Sequence, residues 1–559
     1  MSIENCYNGP MEKAVHPSNE RERTRFGELS AAELKLITAC REGELATIAE
    51  SRPNTEQPEN RVRAGLVRFL ALGGDDNTLV HETGVQLRGA CLVGLLNLDH
   101  VSITRPIVLA DCLIEQIDAR HARLRTLNLQ GSKLIKGING DGLRSEGPIF
   151  MRAGFEAGAS VRLITAQIGV DLDCSSGRFD GGKGTALLLD GATIFGSFRL
   201  DDARALGEVR LVRAEIKGGL ECHGTLLENP QGDALACQRA KISSVCLREG
   251  FHATGAVGFE GAQVFQDVNC AGGSFDHGAE STSRNSDAHG ELRSGIALSF
   301  SGARIDGALK LKDVVRINGI LDLSDLKAGR LTDDEEGWFA SRGELLLDGF
   351  VYGRFADAPA DAASRIEWLG GQNAEHLGKQ FRSQPWEQLI SVLRATGHRE
   401  DARIVAMEKQ KRLRRAGKLV RGLRHAHWLY GAMAGYGYRP TRLLFMIACV
   451  WLICAAAYGL GYNQDPAYIE PWPRSDKASD KAVAVTRGPL DPLIYSADVL
   501  LPVVDFGHAA DWRIVVTSPD GSPLIWGKAL RILFWMEIAF GWLASVLLAS
   551  AAGTLIKKD

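Results

Sequence analysis

The stretch "LLLDGATIFGSFRLDDARALGEVRLVRAEIKGGLEC", residues 187–222, keeps an eleven-residue beat. Triplets centred on Leu188, Arg199, Arg210 and Glu221 each place apolar side chains on either side of a freely varying residue. That is the period-two signature of a strand with one buried face. Between the triplets, "GATI" at 191–194 and "RAEI" at 213–216 supply a small residue followed two positions later by an aliphatic one. The same element recurs as "RAKI" at 239–242, "GAQV" at 261–264 and "GARI" at 302–305. Gly and Ala at these points let the backbone turn a corner without a Cβ clash.

Working outward, the triplets extend upstream to Asp173, Arg162, Phe150, Asn128, Val108, Asn97 and Gln86. Downstream they reach Ala236, Cys246, Gly258, Asn269, Ser299, Lys310 and Asp322. The fold class that follows is mainly β: a β-solenoid, or β-helix, in which two units make a turn of about 22 residues. Roughly ten turns at ~4.8 Å per rung give a rod on the order of 50 Å long. Helical repeats would need longer runs of 3.6 periodicity. Two inserts, "SSGRFDGGKGT" at 175–185 and the polar stretch at 275–295, are expected to bulge as loops.

Open solenoid ends pair with other chains unless capped. Ser30 and Glu33 form a capping-box signature at the start of an N-terminal helical segment. In "ENRVRAGLVRFLALGG", residues 59–74, Val62, Leu66, Phe69 and Leu70 share a helical face. Downstream, "QPWEQLISVLRATGHREDARIVAMEKQKRLRRAGK", residues 384–418, reads as a helical pair around Gly397 with Leu389, Leu393, Ala402 and Val405 inward. The expected organisation is a disordered segment 1–27, a helical cap 28–80, the solenoid 81–355, and a second cap with a basic segment 356–442. A transmembrane helix 443–462, an extracytoplasmic connection 463–527 and a second transmembrane helix 528–556 complete it.

Residues 443–462 contain no charge over twenty positions, the length needed to cross ~30 Å of hydrocarbon. From Lys409 to Arg442 there are ten Lys/Arg and no acid, whereas residues 463–527 carry five Lys/Arg against nine Asp/Glu. Under the positive-inside rule the basic flanks lie in the cytoplasm. With no secretory signal at the N-terminus, the expected placement is the inner membrane, with two spans and with the solenoid and both termini cytoplasmic. The basic set Lys409, Lys411, Arg412, Arg414, Arg415, Lys418, Arg421 and Arg424 then marks the membrane surface, with anionic-lipid contact as a second role. The aromatics interleaved after it, Trp428 to Tyr438, suit an interfacial belt better than a nucleic-acid surface.

Composition excludes little else. The net charge of −3, with 45% apolar and 24% charged residues, fits neither an acidic disordered chain nor a globally basic one. Eleven cysteines without a CxxC pair fit a reducing compartment. Cys222-His223 lacks a second pair at ligand spacing, so no metal site is expected. "GRFDGGKG" at 177–184 has Gly184 where a phosphate-binding loop needs Ser or Thr after the Lys for magnesium, and no strand-to-helix context. No catalytic residue and no cofactor is assigned.

The run "NRVRAGLVRFLALGG", the rungs "GVQLRGACLVGLLNLDHVSI", and "YGYRPTRLL" ahead of two spans together resemble a group of bacterial membrane-anchored pentapeptide-like repeat proteins. Members of that group are often labelled membrane-associated oxidoreductases. The label implies a flavin or nicotinamide site, but no fingerprint here receives it. The segment "YSADVLLPVVDFGHAADW", residues 495–512, is similar to the pore helix and filter loop of two-span ion channels. It lacks a TVGYG-type run. Pro502 interrupts its helix, and Asp498, Asp505 and Asp511 are candidates for an outer mouth; a re-entrant or interfacial segment is the simpler expectation.

In the last span, Glu537 begins a four-residue stripe with Gly541, Ser545, Ala549 and Gly553. Small residues at this spacing admit a close helix neighbour, either the first span or a second copy of the chain. Glu537 is thus expected to face a helix interface, with Trp451 or Tyr458 as hydrogen-bond donor. Three functions follow as expectations. The first is a tethered scaffold or sensor for a protein partner on the solenoid. The second is an oligomeric channel gated by it, and the third is the enzyme implied by the family label.

Overall fold

The computed structural model describes residues 23–277, 295–313, 316–335, 344–417, 421–464, 467–472, 489–518 and 521–556. The chain divides into two compact units, residues 1–376 with 384–401, and residues 377–383 with 402–559. The first unit is a parallel β-solenoid of about 11 turns of ~23 residues. One turn shows how it is built. Lys133–Leu134, Ile138–Asn139, Arg144–Ser145 and Ile149–Phe150 are four short strands. Glu156–Ala157 then lies in register over the first of them.

Each turn is therefore four-sided, with two consecutive sides in each of two sheets. The triplets read from the sequence occupy one side of each sheet, and the "GATI"-type elements occupy a third side. The fourth side, which includes Glu156–Ala157, has no clear sequence beat. Its inward residues range from Ala157 and Ala205 to Phe179 and Phe275, so alternation over two or three residues is masked by changes in size.

Parallel pairing satisfies the amides of each turn with the carbonyls of the next, and the interior is filled by columns. Leu127, Ile149, Leu172, Phe198, Leu220, Val245, Val268, Leu309 and Leu331 form one continuous column. None is more than 1% exposed, and each contributes about 1.5–3 kcal/mol by burial. Aromatic rings meet between turns as well: Phe155 and Phe179 at 5.6 Å and Phe251 and Phe275 at 5.4 Å are tilted, and Phe259 stacks on Phe300 at 5.2 Å. The cysteines of these turns behave as core residues. Burial pushes the Cys112 thiol up to about 12, which keeps it protonated and unreactive.

The corners divide the work between two positions. Ala192, Ala214, Ala240, Ala262 and Ala303 are buried and fill the inside of the corner. The residue before each takes the left-handed turn, whether Gly191 at φ +64° or Arg213 at φ +58°. The smallness of Ala is thus a packing requirement, and the turn itself tolerates Arg at a modest strain.

Two features differ from the sequence reading. The "SSGRFDGGKGT" insert bulges as expected, but from within a strand and not between strands: Arg178–Leu188 pairs at both ends while its register shifts between Asp180 and Thr185. Gly181 and Gly182 absorb the extra residues as a bulge. Of the second insert, residues 278–294 lie outside the described residues, as do residues 1–22 of the expected disordered N-terminus. The solenoid also begins earlier than residue 81. Ala46–Thr47 pairs with Leu87–Arg88, and Arg61–Arg63 with Cys91–Val93. Strands of two and three residues carry too little alternation to be seen in sequence.

Helices close both ends. At the start, α1 (Ala31–Glu42) has the Ser30/Glu33 capping box, and α2 (Ala64–Ala71) buries Leu66, Val67, Phe69 and Leu70. Val62 belongs to the strand before α2. Glu33, 2% exposed, accepts from the Ser30 amide at 3.0 Å. Its two oxygens also receive Arg63 Nε and Nη2, each at 2.7 Å. At the far end, α3 (Ala362–Gly370) brings Arg365 onto Asp333 in a buried bidentate pair at 2.8 and 2.7 Å. Helix α4 (Gln384–Ala395) lies on the last turn, where Gln388 donates to the Tyr352 carbonyl at 2.7 Å and Gln384 to that of Phe350 at 3.0 Å.

Burial pushes the Glu33 carboxyl up, but hydrogen bonds from Arg63 and Ser30 and the Arg63 charge outweigh it, leaving it below the ordinary range. A carboxyl whose folded value is depressed contributes stability above the unfolded value of about 4.3, and that contribution is lost as pH falls through the folded value. Glu33→Gln should therefore lower the thermal midpoint at pH 7, and the gap to the parent chain should close as pH drops below about 4. A gap that is constant from pH 7 to pH 3 would show that the carboxylate charge does not hold this cap.

Candidate functional site

The second unit is built on two helices, α7 (Pro440–Tyr462) and α9 (Ile525–Ile556). Both are long and apolar enough to cross a membrane by length and composition. Ahead of them come α5 (Arg399–Arg415, whose first three residues belong to the solenoid unit) and α6 (Arg421–Ala434). Between α7 and α9, the connection forms a nine-residue helix, α8 (Pro492–Leu500). A small antiparallel pair, Ile469–Pro471 with Trp512–Ile514, flanks it in the chain.

Helix α8 starts with Asp491 as its N-cap, whose carboxylate accepts from the amides of Leu493 at 2.9 Å and Ile494 at 3.2 Å. It ends at Leu500, two residues before Pro502, because the residue preceding proline is driven out of the helical region. The loop then folds back onto the helix. Asp498 accepts from the Phe506 amide at 2.7 Å and the Ala509 amide at 2.6 Å, and Asp505 accepts from the Gly507 amide at 2.7 Å. Asp498 and Asp505 thus serve the loop's own backbone.

Two glycines let α8 sit tightly between the long helices. A Cβ on Gly459 would press on the Pro492 ring, and one on Gly541 would collide with the Leu500 carbonyl. Helix α8 therefore begins beside the C-terminal end of α7 and stops beside Gly541. Gly541 lies about 16 Å past Leu530 along α9 at ~1.5 Å per residue, roughly half the thickness of a bilayer core.

At the centre of this packing lies Glu537, 1% exposed. Tyr458 of α7 donates its hydroxyl hydrogen to Glu537 Oε2 at 2.7 Å. Ser496 Oγ of α8 lies 2.5 Å from Glu537 Oε1 and 3.1 Å from the carbonyl oxygen of Trp451. The Cys454 thiol also faces the carboxyl. Trp451 does not reach Glu537; its indole N–H donates to the Leu493 carbonyl of α8 at 2.9 Å. One carboxyl thus joins α7, α8 and α9. Around it pack Tyr495, Val499, Trp512, Ile514 and Leu530, with the Tyr458 and Tyr495 rings edge to face at 4.9 Å.

The small-residue stripe of α9 divides. Glu537 and Gly541 face the interior, Ser545 is half-buried and Ala549 exposed, and Gly553 lies in the last turn of the helix. From Gly541 onward the packing face moves to Ala544, which meets Met433, Ala434 and Leu443. In the basic set Lys409 is buried, Lys411 and Arg412 pair with Glu408 at 3.2 and 3.4 Å, and Arg415 and Arg424 are exposed. Arg414 is half-buried, Arg421 begins α6, and Lys418 lies outside the described residues.

On the solenoid, outward residues form charge ladders. Arg199 bridges Asp171 at 2.9 Å and Glu221 at 3.1 Å. Asp267 holds Lys310 at 2.7 Å and Arg330 at 3.4 Å on the wall of a shallow groove of about 450 Å³. Burial pushes the Asp267 carboxyl up, but the Lys310 contact and the Ala308 amide outweigh it, leaving it below the ordinary range. Cys222 points into the core while His223 lies outside, against Asp201 at 3.6 Å and Arg248 at 3.0 Å. The two therefore cannot share a ligand.

The fold and the apolar helix pair define a parallel β-solenoid carrying two candidate membrane helices. No protein-family model, curated protein or solved structure matches the chain. The repeat architecture itself is consistent with a β-helix repeat protein.

Sequence reasoning missed Ser496, which lies 41 residues from Glu537 in a segment without periodicity. The only signal was a hydroxyl one turn inside a short apolar helix that opens with Asp-Pro. Gly541→Val should displace α8 through the Leu500 carbonyl and expose the following loop. Tryptic cleavage at Arg513 in the full-length protein should then rise several-fold. Unchanged cleavage would mean that Gly541 does not set the approach of α8.

Proposed function

We propose that the chain is a membrane-tethered scaffold: α7 and α9 hold it in the inner membrane, and the cytoplasmic solenoid binds a protein partner along its side. The observation that carries this reading is the capping of the rod. With both ends closed by helices, further turns cannot stack on it, and the exposed ladders along its sides are the surface left for recognition. Paired charges such as Arg199 with Asp171 and Glu221 suit a protein surface of mixed charge better than a polyanion. The basic flanks Arg415, Arg424, Arg439 and Arg442 support a cytoplasmic origin for both long helices.

Photo-cross-linkers placed at Gln263 and Asn269 in cells should trap one discrete protein partner, and the chain should remain in the membrane fraction after alkaline washing. Thr517→Cys, in the connection, should react with an impermeant thiol reagent from outside, while Gln263→Cys should not. Release into the soluble fraction, or labelling of position 263 from outside, would contradict the proposal.

A second reading, the oligomeric channel, is favoured by one specific observation. A plain anchor needs no third helix, yet α8 descends between the long helices and stops at mid-height, its partially negative C-terminal end directed inward. In an oligomer such ends converge on an axis and attract cations. Purified protein in liposomes should then show a cation conductance that Gly541→Val abolishes; silent liposomes at high protein density would leave α8 a structural element of the tether.

A further inference from the structure

Counting hydrogens around Glu537 leads further. Three short polar contacts meet there: Tyr458 Oη to Oε2 at 2.7 Å, Ser496 Oγ to Oε1 at 2.5 Å, and Ser496 Oγ to the Trp451 carbonyl at 3.1 Å. Three contacts need three hydrogens. The two hydroxyls supply two, because each carries one. If Glu537 were ionised, Ser496 would have one hydrogen for two neighbouring oxygens: the Trp451 carbonyl keeps its partner within α7 and the carboxylate keeps Tyr458, but one of the two contacts of Ser496 Oγ would be oxygen against oxygen with no hydrogen between them. A hydrogen on Oε1 resolves the count.

We propose that Glu537 is a proton-binding site, and that its bound proton completes the hydrogen-bond chain joining α9 through α8 to α7. The acid hydrogen of Glu537 is donated to Ser496 Oγ, the Ser496 hydrogen to the Trp451 carbonyl, and the Tyr458 hydrogen to Oε2. The Cys454 thiol, which also faces the carboxyl, adds its own hydrogen as one further donor and leaves this chain unchanged.

Among the described residues, the surroundings offer no cation to hold a carboxylate instead. From α7 the facing groups are Cys454 and Tyr458, and from α8 Tyr495 and Asp498, the latter occupied by the Phe506 and Ala509 amides. On α9 itself Lys528 is exposed, and Arg531 donates to the Ile514 carbonyl at 3.1 Å. On the strand pair Arg513 is engaged with Glu470 at 3.4 Å. His508 accepts from the Asp491 amide at 3.2 Å, away from the cluster. Glu537, Tyr458 and Ser496 are each at most 1% exposed, so the network is enclosed by protein and the inference stands independently of partner and topology.

Loss of the proton has a defined structural effect. Ser496 must turn its single hydrogen to the charged carboxylate and release the Trp451 carbonyl. That removes one of two hydrogen bonds between α7 and α8 and leaves only the Trp451 indole bond to Leu493. Proton occupancy is thereby coupled to the docking of α8.

Infrared difference spectroscopy of the full-length protein at neutral pH, parent against Glu537→Gln, tests the assignment. The expected result is a protonated-carboxyl C=O band present in the parent and absent from the variant, displaced by Tyr458→Phe and by Ser496→Ala. Glu537→Gln, which offers both an N–H and a carbonyl, should keep the parent's thermal midpoint. In the parent, raising the pH should remove the band together with the exchange protection of the α8 amides, and Glu537→Gln should show no such pH dependence. A carboxylate signal alone at neutral pH would overturn the proton assignment. Loss of the band without change in α8 exchange would overturn the coupling.

Discussion

Every polar group taken from water must find its partner inside the protein, and each level of this structure follows from that constraint. In the solenoid, a two-residue strand cannot satisfy its own backbone, so each turn is obliged to lie on the next. The inward columns follow, because identical register between turns places Leu127, Ile149 and Leu172 directly above one another. The caps follow as well. The last turn would expose unpaired carbonyls, and Gln384 and Gln388 supply side-chain donors to those of Phe350 and Tyr352.

The same constraint explains why charges can be buried at the ends of the rod. Arg365 and Asp333 are almost wholly enclosed, yet the guanidinium also donates to the Pro359 carbonyl at 2.7 Å and lies 3.7 Å from the Phe355 ring centre. Breaking such a pair by removing one partner leaves the other uncompensated. Glu33 repeats the pattern at the other end, serving at once as capping residue and as the acceptor for Arg63. Among the described residues of the helical unit no guanidinium meets Glu537, and hydroxyl groups from two other helices take that role.

Much of the fold was legible because period-two alternation survives in triplets on the two sides where large aliphatic residues recur. The side carrying Ala157, Phe179 and Phe275 was not, since its inward residues share no size. Nor could the strands at 46–47 and 61–63 be seen, being shorter than any period. For the site, helical spacing placed Glu537 toward a neighbouring helix and brought Tyr458 and Trp451 within consideration. Within one chain the packing face does not follow the stripe to Ala549 but drifts to Ala544, where Leu443 and Met433 replace α8 as neighbours. Ser496 depended on a tertiary contact that no local pattern announces.

The central claim is that α8 is an integral third helix, docked between α7 and α9 through Glu537, which meets α7 at Tyr458 in its C-terminal part. Amide hydrogen exchange of the full-length protein in lipid nanodiscs tests it most directly. The amides of Ser496 to Leu500 should be protected as long as those at the centre of α7, while the exposed Val503–Val504 turn exchanges quickly. Rapid exchange throughout residues 492–500, with α7 and α9 still protected, would contradict the account.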